Sequence, residues 1–146
     1  MHRRFRSREV ALQLLFQQDQ NKTPMPRKAI VKFAKDRTRK DTEAVAFALA
    51  LYDGAVAHRE GIDTLITATS QNWRLTRMLP ADRSILRLAT FELIHAAKPE
   101  PVAVVLNEAI ELAKLYGSKD SPAFVNGLLD TIAQRRPAAE PAQADA

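Results

Sequence analysis

Apolar residues recur at helical spacing through most of the chain. The clearest stripe follows the three- and four-residue steps of one helix face. It consists of Val102, Val105, Leu106, Ala109, Leu112, Ala113 and Tyr116. Gly117 follows directly, where a left-handed cap commonly ends a helix. Period-two alternation is nowhere long enough to predict a convincing strand, so the pattern predicts an all-α fold.

The first half of the chain contains further helix signals. Ser7 is a candidate cap for a first helix that runs to about Gln20, and Pro26 begins a second, short and basic helix. Asp41 is a candidate cap for a long third segment. Gly61 is a possible break within that segment, so the pattern leaves open whether it forms one helix or two.

The second half contains the predicted core. A short helical turn is predicted at 73–78, and Pro80 lies near the start of the next helix. Residues 85–94 are apolar on nearly every side, which is typical of a helix packed among others. Ser121 and Pro122 suit the cap and first residue of a last helix. We expect one helical domain over 1–136 and a disordered tail at 137–146, where little can be buried.

Composition narrows the class of protein. The chain has 146 residues, which suits one domain, and it contains no cysteine, which excludes disulfides and cysteine-ligated metals. No apolar run approaches the ~20 residues of a membrane span, and none follows the basic N-terminus as in an export signal. We therefore expect a soluble, cytoplasmic protein.

Positive charge is concentrated at the N-terminus of a chain whose formal net charge is +5. Arg3, Arg4, Arg6 and Arg8 all precede the first acidic residue, Glu9. Such a patch suits a polyanion, because each neutralised phosphate releases counterions, although many basic surfaces serve solubility alone. Charge alone leaves these two interpretations equal.

The sequence offers no recognisable catalytic or metal-binding set. His2, His58 and His95 lie far apart, without the spacing of metal ligands. The four glycines form neither a dinucleotide-binding motif nor a P-loop. We therefore expect no enzyme activity, no metal and no cofactor.

Two aromatic residues fall where core packing and ligand binding are both reasonable. Phe16 lies about 40° beyond Leu12 on the first helix, among polar residues that include Gln13. It either widens the core face or stacks on bases beside the arginines, as in single-stranded RNA binders. Phe124 in the last helix likewise either packs in the core or contacts a ligand. Asp120 either complements the positive end of that helix or accepts hydrogen bonds from base amino groups.

The order of sequence motifs resembles the NusB family from Arg3 to Ile132. The resemblance begins with the arginine-rich stretch 3–9 (RRFRSRE) and 11–13 (ALQ). The most specific blocks are 82–89 (DRSILRLA) with 91–93 (FEL), 106–114 (LNEAIELAK) and 124–130 (FVNGLLD). Three such blocks in the same order make chance similarity a poor explanation.

The resemblance implies about seven helices in two small bundles. It also implies binding of the boxA element of nascent RNA together with NusE, a small-subunit ribosomal protein. That complex joins elongating RNA polymerase and suppresses premature termination, notably in ribosomal RNA operons. A homodimer is a further expectation left open by the sequence, and it could occlude the RNA face.

Individual roles follow from the resemblance by position. The residues implied to contact RNA are Arg3, Arg4, Arg6, Arg8, Gln13, Phe16, Asp120 and Phe124. Asp82 matches a position associated with the NusE interface. Three departures from the family pattern each weaken a contact: Phe5 interrupts the arginine run, Phe16 replaces a common tyrosine, and Ala123 stands where a basic residue can occur.

Two other classes of function are alternatives. NusB-like helical modules also occur fused to methyltransferases that act on ribosomal RNA, and such a chain should continue into an α/β domain with a glycine-rich loop. A helical scaffold that binds only protein is the other alternative, in which the basic residues would be incidental.

Overall fold

The computed structural model describes residues 3–71 and 73–138, and within these ranges the chain forms seven α-helices, one 3₁₀ turn and no β-strand. The helices are α1 (Arg3–Gln20), α2 (Arg27–Arg37), α3 (Thr42–Ala57), α4 (Arg59–Thr69), α5 (Pro80–Ile94), α6 (Val102–Tyr116) and α7 (Ser121–Ala133), with the 3₁₀ turn at Leu75–Arg77. The predicted all-α fold of seven helices is confirmed. Most of the predicted tail, from residue 139 onward, lies outside the described residues.

Two groups of helices form the molecule. In the first group α1 packs along α3, and α2 contacts both. In the second group α5, α6 and α7 pack against one another, while α4 contacts α5 and α7. α5 also contacts α1 and α3, so it joins the groups, and its residues 84–90 are all buried, as the apolar pattern predicted.

The long third segment is two helices, and the break differs from the predicted one. The Asp41 carboxylate accepts hydrogen bonds from the backbone N–H groups of Glu43 and Ala44 at 3.1 and 3.3 Å, which confirms Asp41 as the cap of α3. The chain breaks at His58, between α3 and α4. The break predicted at Gly61 is wrong, because Gly61 lies inside α4.

Three other predicted caps are also wrong. Ser121 is the first residue of α7 and not its cap, because the helix is preceded by Asp120. Ser7 lies inside α1, where its hydroxyl is buried and donates to the backbone carbonyl of Ala44 on α3 at 2.9 Å. Gly117 has φ −96° and ψ −168°, which is extended backbone and not a left-handed cap. Glycine is needed at this position because the Ser121 side chain lies so close that a Cβ would overlap it.

Buried ion pairs join the two groups of helices. Arg8 on α1 reaches Glu92 on α5, and Asp19 at the end of α1 accepts hydrogen bonds from Arg83 and Arg87 of α5. Within the described part of the chain, no helix is both long and apolar enough to span a bilayer.

Candidate nucleic-acid interface

Three of the four N-terminal arginines lie exposed on the first turns of α1. Arg3 contacts the carboxylates of Asp41 and Glu43, each at 2.7 Å, and these acids belong to the start of α3. Arg4 pairs with Glu100 at 2.8 Å and stacks over the Phe47 ring at 4.3 Å. Arg6 lies 3.3 Å from Glu9 on its own helix. The predicted basic arm is therefore the helical start of α1, whose arginines are paired with acidic residues on different sides of the helix.

Arg8 is in a different environment from the other arginines. Its side chain is 1% exposed, with two hydrogen bonds of 2.8 Å to Glu92 and one of 3.0 Å to Glu108. Burial by itself would lower the pKa of Arg8, but the contacts with Glu92 and Glu108 outweigh it and raise that pKa. This placement corrects the expectation that Arg8 contacts RNA directly, because the guanidinium faces the interior.

Phe16 lies at the rim of a groove between α1, α2 and the start of α5, here called the Phe16 groove. The groove encloses about 390 Å³. It is lined by Leu12, Gln13, Phe16, Gln17, Phe33, Arg37, Ala81 and Tyr116. Phe16 is 41% exposed and Tyr116 is 38% exposed, so aromatic surface faces solvent here.

A chain of hydrogen bonds fixes the wall of the Phe16 groove. The Gln13 amide donates to the Tyr116 hydroxyl at 2.9 Å, and that hydroxyl donates to the Glu9 carboxylate at 2.6 Å. Burial raises the pKa of the Tyr116 phenol, and the hydrogen bond to Glu9 raises it further. The phenol therefore stays protonated near neutral pH and holds Gln13 in place.

Asp82, Asp120 and Phe124 lie around a second opening, here called the Trp73 groove. It encloses about 350 Å³ between the 3₁₀ turn and the starts of α5 and α7. Its lining consists of Trp73, Arg77, Met78, Leu79, Asp82, Ser118, Asp120, Ser121 and Phe124. Trp73 and Leu79 are 55% and 47% exposed, which leaves an apolar surface open.

The Asp82 carboxyl group forms part of the floor of the Trp73 groove. The residue is only 5% exposed, and its Oδ1 atom has no hydrogen-bond partner among the described residues. Burial raises the pKa of Asp82, although a hydrogen bond with Ser121 works in the opposite direction. A buried acceptor without a partner is suited to a donor supplied by another molecule.

Five of the predicted site residues line two neighbouring grooves. Gln13 and Phe16 lie in the first, while Asp120 and Phe124 share the second with Asp82. The four predicted arginines line neither of these grooves. The grooves adjoin at the start of α5, since Ala81 lines one and the next residue lines the other.

The groove residues that the sequence did not assign to the site include Phe33, Arg37, Trp73 and Tyr116. Phe33 and Arg37 are one helical turn apart on the basic second helix, a spacing that places an arginine beside an aromatic ring. Tyr116 ends the apolar stripe predicted to face the core, yet its hydroxyl is turned toward α1. Only the hydrogen bonds between Tyr116 and residues of α1 show this.

The fold and these grooves define a small helical binding protein that presents a cationic and aromatic face. A family model described as the NusB family matches residues 6–134. The chain belongs to the NusB family. It is 47% identical over 137 residues to the transcription antitermination protein NusB of Anaeromyxobacter dehalogenans (strain 2CP-1), with 94% of each chain covered. The corresponding protein of Myxococcus xanthus is 44% identical over 129 residues, covering 86% of this chain and 91% of the relative.

Solved structures show the same fold. NusB of T. maritima superposes with a TM-score of 0.81 at 34% identity, covering 94% of each chain. A crystal structure of the antitermination factors NusB and NusE in complex with double-stranded RNA contains a chain with a TM-score of 0.81 at 29% identity. That match covers 92% of this chain and 98% of the other.

Proposed function

We propose that the protein is a transcription antitermination factor that binds boxA-type single-stranded RNA together with NusE. The complex would join elongating RNA polymerase and promote transcription of ribosomal RNA operons. Membership of the NusB family supports this role, as does the likeness to a chain solved with NusE and RNA. The single observation that supports the RNA part is the exposed Phe16 on the same helix as the basic residues at the start of α1.

The surface around Phe16 meets the two physical requirements of single-stranded RNA binding. Exposed aromatic rings stack on unpaired bases, and guanidinium groups neutralise the backbone. Phe16 and Tyr116 supply rings in a groove, while Arg3, Arg4 and Arg6 supply charge on the same helix as Phe16. The acidic partners of these arginines lie at the surface, where such ion pairs are weak enough to exchange for phosphate.

NusE would bind at the Trp73 groove, and Asp82 is the residue proposed to contact it. The proposal rests on the unpartnered Oδ1 atom of Asp82 beneath the exposed Trp73 and Leu79. Apolar surface of NusE would cover the exposed Trp73 and Leu79, and a donor side chain of NusE would reach the buried Asp82 oxygen only as the groove opens to receive it. Asp120 and Phe124 would then lie between the RNA and NusE. Phe124 would stack on a second base of the RNA.

The NusE assignment is tested by charge reversal and by an isosteric change. Asp82→Lys should abolish NusE binding through like-charge contact, and Asp82→Asn should weaken it while preserving the fold. RNA binding without NusE should be largely retained in both variants. Isothermal titration with purified NusE measures the effect, and wild-type NusE affinity in Asp82→Asn and Asp82→Lys would remove Asp82 from the interface.

Binding without chemical turnover is the proposed mechanism, so the protein would be no enzyme and would need no cofactor. The names of the curated relatives support this, since they denote transcription factors. A transcription factor of this class acts where the polymerase is, in the cytoplasm.

The RNA assignment is tested by fluorescence anisotropy with boxA-type and scrambled single-stranded RNA. Wild-type protein should prefer the boxA-type strand, and a triple alanine variant at Arg3, Arg4 and Arg6 should bind both strands more weakly. The slope of log affinity against log salt should flatten by about 0.7 for each phosphate that is no longer neutralised. The matched control has alanine at Lys28, Lys32 and Lys35, which removes the same charge from the outer face of α2.

Helicity should barely change in either triple variant, because surface ion pairs contribute little to stability. If the arginine variant keeps wild-type RNA affinity and salt slope, the start of α1 is not the electrostatic contact. If wild-type protein binds no RNA, the RNA assignment itself fails.

A further inference from the structure

A third opening, which is polar, adjoins the Phe16 groove at the turn between α2 and α3. It is here called the turn pocket. It encloses about 420 Å³. Its lining consists of Arg3, Arg6, Asp36, Arg37, Thr38, Arg39, Asp41 and Ala44. Arg37 lines both openings, and its guanidinium lies 4.7 Å from the centre of the Phe33 ring. An aromatic groove and an arginine-lined pocket therefore meet at one residue.

The turn holds Arg39 in a conformation that normally belongs to glycine. Arg39 has φ 55° and Lys40 has φ 61°, both in the left-handed region. The Lys40 N–H donates to the Lys35 carbonyl at 2.8 Å, which closes α2 in a Schellman-like turn. Glycine is the usual residue at the position of Arg39. An arginine at a strained position beside a pocket is an outlier that points to a function for its side chain.

The charges around the turn pocket leave Arg37 and Arg39 available. Arg3 is paired with Asp41 and Glu43, and Arg6 with Glu9, so each must exchange an acidic partner before it can bind phosphate. The acid Asp36 is paired with Lys32 at 2.6 Å. Among the residues that the structure describes, no carboxylate oxygen lies within 4.0 Å of the Arg37 or Arg39 guanidinium nitrogens.

We propose that the turn pocket binds one phosphate of the RNA through Arg37 and Arg39, while the adjoining Phe16 groove takes an unpaired base of the same strand. A planar guanidinium is well matched to phosphate oxygens, and the rings of Phe16, Phe33 and Tyr116 offer faces for the base. Arg37 joins the two subsites. The inference rests on the proposed RNA binding and extends the RNA path onto α2.

The chain offers a matched pair of variants at the turn. Arg39→Gly and Lys40→Gly each remove one positive charge and each relieve a left-handed residue, but only Arg39 lines the pocket. Both variants should therefore be as stable as the wild type or more stable. Arg39→Gly should weaken binding of boxA-type single-stranded RNA about fivefold and flatten the salt slope by about 0.7, whereas Lys40→Gly should bind nearly as the wild type does.

A modified RNA identifies the contact itself. Replacing one phosphate of the boxA-type strand at a time by a neutral methylphosphonate should reveal a position at which wild-type protein binds more weakly. At that position Arg39→Gly should weaken binding no further, because the phosphate charge that Arg39 would meet is already absent.

The outcomes separate the two proposals. If wild-type protein binds no single-stranded RNA, the proposed function fails. If it binds RNA while Arg39→Gly matches Lys40→Gly in affinity and salt slope, and the methylphosphonate effects simply add to those of Arg39→Gly, the turn pocket is not a phosphate site and the RNA-binding proposal stands.

Discussion

At the residue scale, Phe16 and Arg8 of the same helix face opposite environments. Phe16 is 41% exposed at the rim of its groove, whereas Arg8 is 1% exposed between two carboxylates. Exposure frees a side chain for a ligand, while burial of a charge makes its partners essential to the fold. The two residues should therefore respond to truncation in opposite ways.

Phe16→Ala should lower the free energy of unfolding by no more than about 1 kcal/mol, because the ring is not packed in the core. It should weaken boxA-type RNA binding about tenfold or more, through loss of stacking. Phe16→Tyr should bind at least as well, since the ring is kept and a hydroxyl is added. A large loss of stability in urea unfolding with unchanged RNA affinity would instead place Phe16 in the core.

Arg8→Ala should cost about 3–5 kcal/mol of stability, because the carboxylates of Glu92 and Glu108 lose their buried partner. Arg4→Ala is the matched control, and its exposed pair with Glu100 should contribute no more than about 1 kcal/mol. Urea unfolding measures both. Equal stability of the two variants would mean that Arg8 is not buried between Glu92 and Glu108.

At the element scale, α3 and α5 approach closely at Gly54. A Cβ built on Gly54 would overlap the edge of the Phe91 ring, whereas a Cβ on Gly61 in α4 meets no atom within 4 Å. Glycine normally costs a helix about 1 kcal/mol relative to alanine. The two glycines therefore serve different purposes, although both lie inside helices.

Gly61→Ala should raise stability by about 0.5–1 kcal/mol, as expected for an open helix position. Gly54→Ala should lower stability, because the Phe91 ring must move and disturb the packing of α5 on α3. Thermal unfolding of the two variants provides the comparison. A stabilising effect of Gly54→Ala would show that the two helices are not in close contact there.

Helix positions were predictable from sequence, but several helix ends were not. The apolar stripe of α6 and the cap at Asp41 are local signals, and both predicted helices are confirmed. The sequence around Ser7 suits a helix cap, and it suits a buried serine bonded to another helix equally well. Only the hydrogen bond to Ala44 shows that Ser7 is the buried serine. The positions of Gln13 and Phe16 outside the core face of α1 followed from helix geometry, whereas the place of Tyr116 in the same groove required a contact between helices distant in sequence.

At the scale of the whole molecule, buried charges tie α1 to α5. Asp19 accepts hydrogen bonds from Arg83 at 2.6 Å and from Arg87 at 3.0 Å. Burial would raise the pKa of the Asp19 carboxyl, but the hydrogen bonds from the two arginines outweigh it and hold that pKa below its ordinary value. The contribution of Asp19 to stability therefore depends on pH.

A lowered pKa means that Asp19 stabilises the fold above about pH 4 and that this contribution is lost as pH falls through its lowered value. Asp19→Asn should be less stable than the wild type near pH 7 and should lose less stability between about pH 4 and pH 2. Asp36→Asn, which alters only an exposed pair with Lys32, should follow the wild type closely. Urea unfolding across this pH range measures the difference, and an acid profile of Asp19→Asn identical to the wild type would contradict the assignment.

We propose that this small helical protein binds boxA-type RNA and NusE together through adjoining grooves. The most direct test is the affinity for labelled boxA-type single-stranded RNA with and without saturating NusE, beside the affinity for NusE with and without that RNA. Because binding at two coupled sites is reciprocal, each ligand should tighten the other by the same factor, on the order of tenfold, and scrambled RNA should show a smaller effect. Equal affinities for boxA-type and scrambled RNA in the presence of NusE, with no coupling between the two ligands, would contradict the account.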